Sequence, residues 1–382
     1  MSTSPDSGPP PPPPPAPPTR PATALRQRLA ELRGPAVAPQ PLDARALAAL
    51  AANPGCERRA LLDGAGVNKA VLAEALGSPS GFGQSQFAFM RGNAFEARVK
   101  ADGGAELMRL FAERMGTAEA VDVQVPDLSA AGPEGRAART ALALREATGA
   151  GGWSLFDHPM LALEVAGSPA YLEPDALVVD PAGCWTVIEI KSFPMIDASA
   201  DAAKVGAAAR QSAVYVLALQ RIAEHLPGAS VADRALLVCP KDFSNLPTAA
   251  AVDVRKQLSV TRRQLARLTR IEDIAAGLPE GTTFDPALPA AELTAAVESV
   301  DAAYAPECLA ACELAFHCRD RARRAGAVTA LGRSVRGELG GFSTVAAALA
   351  AARGEGDPSD PTVAALRRAA ALRVEGLGGA VC

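Results

Sequence analysis

The segment YLEPDALVVDPAGCWTVIEIKS, residues 171–192, decides the fold that the rest of the chain is expected to adopt. Val, Ile, Trp and Thr, which favour β-strands, are concentrated in two stretches of it, Tyr171–Val179 and Trp185–Ser192. Pro181 and Gly183 lie between these stretches and mark a tight turn. The segment therefore predicts two strands joined by a short turn, and the first is expected to pair with the second.

Side chains on a strand alternate between two faces, so the second predicted strand has two distinct sides. Val187, Glu189 and Lys191 are expected on one side, and Ile188 and Ile190 on the other. A carboxylate and an amine therefore share one face of an otherwise apolar strand.

Asp175, on the first predicted strand, places a second carboxylate near Glu189 and Lys191. Two carboxylates can hold Mg²⁺ or Mn²⁺, which are hard cations that prefer oxygen ligands. Such a cation lowers the pKa of a bound water, and a lysine can position that water or stabilise charge on a phosphate. The three residues outline a phosphodiesterase active site.

An isolated Glu-x-Lys more often forms a buried or edge ion pair than a catalytic site, and two features favour catalysis here. Lysine is scarce, because only six of the 38 basic residues are lysines, so composition alone seldom puts one at this position. The spacing from Pro174-Asp175 to Glu189 and Lys191 also resembles the PD-(D/E)xK nuclease signature.

Composition limits the classes of protein that the chain can belong to. Its 382 residues are 49% hydrophobic, which is ample for a core, and the net charge is −4. DNA contact must therefore come from a local basic patch, for which residues 253–270 are the candidate, although such a run is usually a solvated helix face. The sequence has neither a membrane-span pattern nor a secretory signal, so we expect a cytoplasmic protein without membrane contact.

Changes in composition along the chain suggest three regions. Residues 1–45 contain an unbroken proline run and are expected to be a disordered tail and linker. Residues 46–325 contain the motifs and are expected to form the main domain. Residues 326–382 are rich in alanine and are expected to form a helical C-terminal extension.

Two predicted helices add polar residues to the candidate site. The first, Phe87–Phe111, carries Glu96, which is either a surface glutamate or a further acid near the metal. The second, from about residue 202 to residue 225, carries Gln211 and Tyr215 one turn apart. That pair is either part of an ordinary amphipathic face or a polar pair turned toward Lys191 and a bound phosphate.

Three of the seven cysteines, Cys308, Cys312 and Cys318, fall within 11 positions. Three thiolates are one short of the four that a tetrahedral zinc or an iron–sulfur cluster requires. Cys56 could supply the fourth from far upstream, and His317 could do so in a zinc site. The alternative is chance clustering of structural cysteines.

Together these motifs resemble the RecB-like branch of the PD-(D/E)xK nucleases, especially its four-cysteine members, the CRISPR-associated exonucleases and AddB-type nuclease domains. The resemblance covers about residues 53–320. The matching positions are Gly92, Asp175, Glu189, Lys191, Gln211, Tyr215, Cys56, Cys308, Cys312 and Cys318. Two positions depart from the pattern: Glu96 stands where the RecB-like motif has histidine, and three residues rather than two separate Cys308 from Cys312.

The resemblance implies a restriction-endonuclease-like α/β fold, with a mixed sheet flanked by helices and a helical clasp around a 4Fe–4S cluster. It implies that Asp175, Glu189, Glu96 and the Ile190 carbonyl bind Mg²⁺ or Mn²⁺, and that Lys191 acts on the water or the transition state. Gln211 and Tyr215 would steady the lysine and the phosphate, and the four cysteines would hold the cluster, with zinc as the alternative.

The resemblance further implies a DNA nuclease of repair, recombination or anti-phage defence that acts on single strands or ends. A helicase or another defence protein would then be a separate chain, since the sequence lacks the phosphate-binding motif of such motors. Two alternatives remain open: a catalytically inactive nucleic-acid-binding module on the same fold, and a scaffold stabilised by zinc.

Overall fold

A computed structural model describes residues 21–53, 55–79, 86–165, 168–242, 244–267 and 271–378 of the chain. The helices of these residues are α1 (Pro21–Arg33), α2 (Ala44–Ala52), α3 (Glu57–Gly64), α4 (Lys69–Ala75), α5 (Gln86–Val99), α6 (Ala101–Met115), α7 (Gly132–Ala150), α8 (Ala202–Ala223), α9 (Arg255–Arg267), α10 (Ile271–Ala276), α11 (Ala290–Glu298), α12 (Ala315–Arg324), α13 (Arg333–Glu338), α14 (Val345–Ala352) and α15 (Pro361–Gly378). The strands are β1 (Ser154–Asp157), β2 (Leu161–Val165), β3 (Ser168–Leu172), β4 (Ala176–Val179), β5 (Cys184–Ile190), β6 (Ser230–Val231), β7 (Arg234–Pro240) and β8 (Pro247–Asp253).

The central sheet has the strand order β1-β4-β5-β7-β8, and the short strand β6 pairs with the start of β5. Strands β5 and β7 are parallel, whereas β1, β4 and β5 pair antiparallel, as do β7 and β8. The parallel pair is connected through α8, because parallel neighbours need a crossover rather than a hairpin. The prediction of an α/β fold with a mixed sheet and flanking helices is confirmed, while its restriction-endonuclease-like character stays a prediction.

Helices cover both faces of the sheet. Ile188 and Ile190 belong to an apolar cluster with Leu107 and Phe111 of α6. Val187 belongs to the cluster on the opposite face, which contains the buried side of α8. The predicted alternation of these three residues along β5 is confirmed. Helices α2 and α9 pack on α8 and form a further layer on that side.

The predicted strand Tyr171–Val179 was wrong in one respect, because it is divided. Strand β3 ends at Leu172 and pairs with β2 in a separate two-stranded sheet, and β4 begins only at Ala176. Pro174 lies in the break, and proline has no backbone N–H to donate to a ladder. Asp175 therefore lies just before β4, at the same end of the sheet as the last residue of β5.

The predicted helix Phe87–Phe111 is also divided, between α5 and α6. Asp102, Gly103 and Gly104 have φ values of 54°, 66° and 82°, which an α-helix does not contain. Two consecutive glycines favour such a break because they enter the left-handed region at little cost. The predicted helix from 202 to 225 is found as α8, two residues shorter at its C-terminal end.

The terminal regions also contain helices. Residues 1–20 and 379–382 lie outside the described residues. Within the region expected to be tail and linker, α1 has a buried Leu32, whose carbonyl accepts a hydrogen bond from Phe284 N at 2.7 Å. After residue 326, α13 to α15 accompany a small apolar cluster around Val328, Leu339 and Ala348. Among the described helices, none is both long enough and apolar enough to cross a lipid bilayer.

The turn before β5 depends on Gly183, which generates a testable prediction. Gly183 has φ of +76°, and a Cβ there would lie 2.4 Å from the Gly228 carbonyl oxygen. We expect Gly183→Ala to lower the free energy of unfolding in urea by about 3 kcal/mol, since the backbone must shift as well as bear the φ strain. The matched control is Gly281→Ala, where φ is +79° and no described atom lies within 4 Å of the added carbon. It should cost only about 1 kcal/mol, and equal losses in the two variants would contradict the prediction.

Candidate active site and cysteine cluster

The three predicted catalytic residues Asp175, Glu189 and Lys191 lie together at one end of the central sheet. Asp175 Oδ2 accepts a hydrogen bond from Ile190 N at 2.6 Å, which ties the residue before β4 to the last residue of β5. Lys191 Nζ forms an ion pair with Glu189 Oε1 and lies 4.0 Å from Asp175 Oδ2. The backbone of Lys191 is fixed in turn, because its N–H donates to Val238 O at 2.9 Å.

Glu189 is the most deeply buried group of this site. Its side chain is 1% exposed; Oε1 is paired with the Lys191 ammonium group, and Oε2 has no hydrogen-bond partner among the described residues. Burial raises the pKa of Glu189 to about 7, against the lowering effect of Lys191. A buried carboxylate with unused acceptors is costly unless a cation or a donor compensates it. Glu189 therefore has the chemistry of an oxygen ligand.

The electrostatics of Asp175 and Lys191 follow from the same burial. Burial raises the pKa of Asp175, and Lys191 and the Ile190 N–H oppose that rise. Burial by itself lowers the pKa of Lys191, but the charges of Glu189 and Asp175 outweigh it, and the net shift is upward. Lys191 is therefore held as an ammonium ion between two carboxyl groups.

Glu96, on α5, lies at the edge of this acidic site. Its Oε1 accepts a hydrogen bond from Lys100 Nζ at 2.6 Å and lies 3.0 Å from His158 Nε2. The hydrogen bond with His158, and then that with Lys100, lower the pKa of Glu96 to about 2 despite partial burial. Its charge raises the pKa of both Asp175 and Glu189, so the three acids lie within electrostatic range of one another.

Sequence reasoning missed three residues of this site: Lys100, Asp157 and His158. His158 follows β1 with a left-handed φ of 45°, and its N–H donates to Asp175 O at 3.3 Å. Its ring lies close to Glu96, but no sequence motif connected His158 with that residue. One feature of the sequence could have indicated that Lys100 belongs to the site: it is a lysine in a lysine-poor chain and stands one helical turn after Glu96.

Gln211 and Tyr215 of α8 also reach this end of the sheet. Gln211 Nε2 donates to Tyr215 OH at 2.9 Å, and Tyr215 OH donates to Glu173 O at 3.0 Å. Burial, and then the charge of Glu189, raise the pKa of Tyr215 well above its usual value. The pair thus contacts the segment that carries Asp175 rather than Lys191 itself, and its predicted contact with phosphate stays a prediction.

The three predicted carboxylate ligands, Glu96, Asp175 and Glu189, lie near one another but do not form a complete coordination shell. Within the described ranges, no three His, Cys, Asp or Glu side chains stand in an arrangement that could hold a metal ion. Lys191 pairs with Glu189 and Lys100 pairs with Glu96, so ammonium groups contact the carboxylates that would bind a cation. The donor set of carboxylate oxygens fits Mg²⁺ or Mn²⁺, and its metal role, like that of the Ile190 carbonyl, stays a prediction.

The predicted cysteine ligands also converge. Arg58 N donates to Asp301 O at 2.8 Å, which brings the start of α3, and Cys56 with it, to the segment before Cys308. Burial raises the pKa of Cys308 and of Cys318, and the charge of Cys56 raises both further. These two shifts indicate that Cys56 lies within electrostatic range of both late cysteines.

Cys312 is the remaining member of the four predicted cysteine ligands. Burial raises its pKa to about 12, and the charge of Cys318 adds to that rise. Two of the sulfur atoms receive donors from side chains of the N-terminal segment: Arg58 Nη1 donates to Cys318 Sγ at 3.4 Å, and Asn53 Nδ2 donates to Cys308 Sγ at 3.3 Å. Donors of this kind suit sulfur ligands that carry negative charge.

His317, the alternative fourth ligand, lies in different surroundings. Its Nε2 is 4.0 Å from Glu298 Oε1, and burial, followed by the charges of Arg58 and Arg324, lowers its pKa. His317 as the fourth ligand of a zinc site stays a prediction, as does Cys56.

A buried charge network ties α3 to the cysteine segment. Arg59 Nε donates to Asp63 Oδ2 at 3.0 Å, and Arg59 Nη1 donates to Ala311 O at 2.6 Å. The other oxygen of Asp63 forms an ion pair with Lys69. All three charged side chains are buried, so Asp63 is the counter-charge for two cations.

No family model, curated protein or solved structure matches this chain. Membership of the RecB-like family therefore stays a prediction, and its support is the order of the sequence motifs together with the convergence of their residues at two places in the fold.

The buried network predicts a large effect at Asp63. Asp63→Ala leaves Arg59 and Lys69 buried without their shared counter-charge, so the free energy of unfolding should fall by about 3 to 5 kcal/mol. Asp320→Ala is the control, because Asp320 is exposed and lies 3.7 Å from Arg319. It should change stability by less than about 1 kcal/mol. Chemical denaturation of both variants tests this, and a similar small loss in each would show that the network contributes little.

Proposed function

We propose that this chain is a Mg²⁺- or Mn²⁺-dependent nuclease that hydrolyses phosphodiester bonds of DNA. The observation that carries the proposal is the carboxylate of Glu189, which is buried beside Asp175, has the Lys191 ammonium group on Oε1 and has no hydrogen-bond donor for Oε2 among the described residues. A purely structural ion pair would be expected to satisfy its carboxylate with further donors.

Each residue has a chemical role in this proposal. The carboxylates of Glu96, Asp175 and Glu189 would hold a divalent cation, which lowers the pKa of a bound water and offsets charge on a phosphate. Lys191, kept charged by its neighbours, would orient the water or donate to a phosphate oxygen as negative charge develops there. Tyr215 would fix the position of Asp175 through its hydrogen bond to the preceding segment.

The basic helix α9, the candidate DNA contact, begins at the opposite end of β7 from the acidic site. Val254 N, just before α9, donates to Asp233 O, so the helix starts beside the residue that precedes β7. Lys191 contacts Val238, near the other end of that strand. DNA that touched the start of α9 would have to extend along the protein to reach the acids. The preference for single strands or ends stays a prediction.

The nuclease proposal predicts a specific loss in Lys191→Ala. With end-labelled single-stranded DNA and Mn²⁺, we expect kcat to fall by roughly 100-fold or more, because a positioned cation is lost from the transition state. Arg353→Ala is the control, since Arg353 is an exposed basic residue directly after α14, outside both the acidic site and the basic helix α9, and its kcat should stay unchanged. Equal cleavage by wild type and Lys191→Ala would overturn the assigned role, and binding of DNA without any cleavage would favour the inactive-module alternative.

We propose as well that Cys56, Cys308, Cys312 and Cys318 hold a 4Fe–4S cluster with a structural role. Their convergence and the N–H donors on two of the sulfur atoms support four thiolate ligands, and such a site would couple cluster binding to folding. Zinc fits the same four thiolates.

Metal analysis separates the two cofactors. After anaerobic purification, wild type should contain about four iron atoms per chain and absorb visible light, as a 4Fe–4S cluster requires, whereas Cys312→Ser should lose most of both. Cys184→Ser is the control, because Cys184 lies in β5, away from this group. A colourless protein with stoichiometric zinc and no iron would reject the iron–sulfur assignment.

A further inference from the structure

Phe193, which follows the proposed catalytic lysine by two positions, is a half-buried aromatic residue just beyond the end of β5. Its ring packs against a small apolar cluster that contains Met195 and Ala208, so only part of it is covered. Lys204 Nζ, in the first turn of α8, lies 5.8 Å from the centroid of the ring. The ring therefore lies on the side of the sheet that α8 covers, which is also the side of Val187.

Two exposed lysines, Lys204 and Lys241, border the segment that carries this ring. Lys241 follows β7 and forms an isolated parallel β-bridge with Met195, two residues after Phe193. Among the described residues, neither lysine forms an ion pair with a carboxylate. Two ammonium groups without an acidic partner are thus available beside one partly exposed aromatic ring.

The acids of the same loops contact backbone groups. Asp201 accepts a hydrogen bond from Lys204 N at 2.9 Å, and Asp242 Oδ1 accepts one from Asp197 N at 3.2 Å. Asp197 itself is exposed. This surface is therefore not strongly positive, and a nucleic acid that binds here needs the aromatic ring as well as the lysines.

A third lysine at this end of the sheet, Lys100, lies in a different environment. Its Nζ is 2.7 Å from Asp157 Oδ1 and 2.7 Å from the Asp175 backbone oxygen, and its side chain is only 14% exposed. An ammonium group has three N–H donors and no acceptor. The donors of Lys100 are used within the protein, whereas those of the two exposed lysines can meet a ligand.

A partly exposed aromatic ring beside ammonium groups is the combination that binds single-stranded nucleic acid. A base stacks on the ring, and the ammonium groups pair with the phosphates that flank it. A duplex offers no free base face for such a contact, because its bases are stacked on one another. A lysine over an exposed ring contributes less than a stacked base does, so a base can take its place and leave the ammonium group to a phosphate.

Helix α8 connects the ring with the acidic site. Lys204 and Gln211 are two helical turns apart in the sequence, so they lie on one face of the helix, about 10 Å apart along its axis. Gln211 and Tyr215 in turn contact the segment that carries Asp175. A strand whose scissile phosphate lies at Lys191 can therefore continue past the start of α8 to the ring.

We propose that Phe193, with Lys204 and Lys241, forms a stacking site for an unpaired base of the DNA strand, next to the phosphate on which Lys191 acts. The inference rests on the proposed nuclease function and gives it a substrate class, DNA whose bases are unpaired beside the cleaved bond. Stacking and phosphate pairing at this site require no metal ion, so binding can be measured apart from cleavage.

Binding of a short fluorescent oligothymidylate to the full chain, measured in EDTA, tests the stacking site. Phe193→Ala should raise Kd by about 10-fold or more, the loss expected for one stacked base, while Kd for a blunt duplex of the same length should stay unchanged. In Mn²⁺ the variant should raise KM for single-stranded DNA and leave kcat unchanged, as expected when binding is lost equally from the ground state and the transition state.

Three further variants make the test specific. Phe193→Leu keeps apolar volume in the cluster but removes the ring, so it should lose the same affinity even where the alanine variant does not fold. Phe193→Trp should bind as tightly as wild type, and its added indole fluorescence should be quenched by the oligonucleotide. Phe342→Ala is the matched control, because Phe342 is a half-buried phenylalanine of the separate C-terminal cluster, and its Kd should match wild type.

Salt dependence tests the lysines. Lys204→Met should flatten the slope of log Kd against log salt concentration by about 0.7, the change expected when one phosphate contact with a single strand is lost. Arg353→Met removes an exposed positive charge outside this surface and should keep the wild-type slope. Equal slopes in wild type and Lys204→Met would overturn the phosphate contact.

The outcomes separate this inference from the proposed function. Wild-type affinity in Phe193→Leu, unquenched fluorescence in Phe193→Trp, or an equal loss of affinity for duplex DNA overturns the stacking site, and cleavage by the wild type then leaves the nuclease intact. A selective loss of single-strand affinity in Phe193→Leu, with a wild type that cleaves no DNA in Mn²⁺, supports the stacking site and overturns the nuclease.

Discussion

The burial of the Glu189 carboxylate is the constraint on which the candidate site depends. Strand β5 is central in the sheet and is covered by helices on both faces, so a carboxylate near its end is removed from water. Such a group destabilises the fold unless charge is brought to it. Lys191 supplies that charge, because it lies two residues after Glu189 and on the same side of the strand. Asp175 is held nearby by a hydrogen bond from the Ile190 N–H. Sheet geometry alone thus concentrates three ionisable groups at one place.

Buried charges that need a partner also occur beside the cysteines. There Asp63 compensates two buried cations, and Arg58 donates to a sulfur atom. Both places join segments that are distant in the chain, and both do so through charged groups that would be unfavourable if left unpaired. Apolar packing forms the body of the molecule, but it does not by itself specify that α3 meets residues 300–312. The directed contacts of Arg58 and Arg59 with backbone carbonyls supply that specificity.

Local periodicity explains which parts of this structure could be predicted. The two-residue period of β5 placed Val187 opposite Ile188 and Ile190, and the short turn at Gly183 brought Asp175 beside Glu189. Sequence spacing carried no signal for Lys100 with His158, because α5 and the end of β1 meet only through tertiary packing. The breaks at Pro174 and at Gly103 were visible in composition, yet the apolar pattern on either side outweighed them. Predictions from periodicity therefore succeeded within elements and failed where elements end.

Two lysines at one acidic site are not equivalent, and their surroundings explain the difference. Lys191 Nζ is paired with Glu189 Oε1, and its side chain is 27% exposed. Lys100 has acceptors on every side, including a backbone carbonyl that cannot be protonated or withdrawn. The site thus contains one partly exposed ammonium group and one enclosed by acceptors, and only the exposed one, Lys191, has room for the role that the nuclease proposal assigns to it.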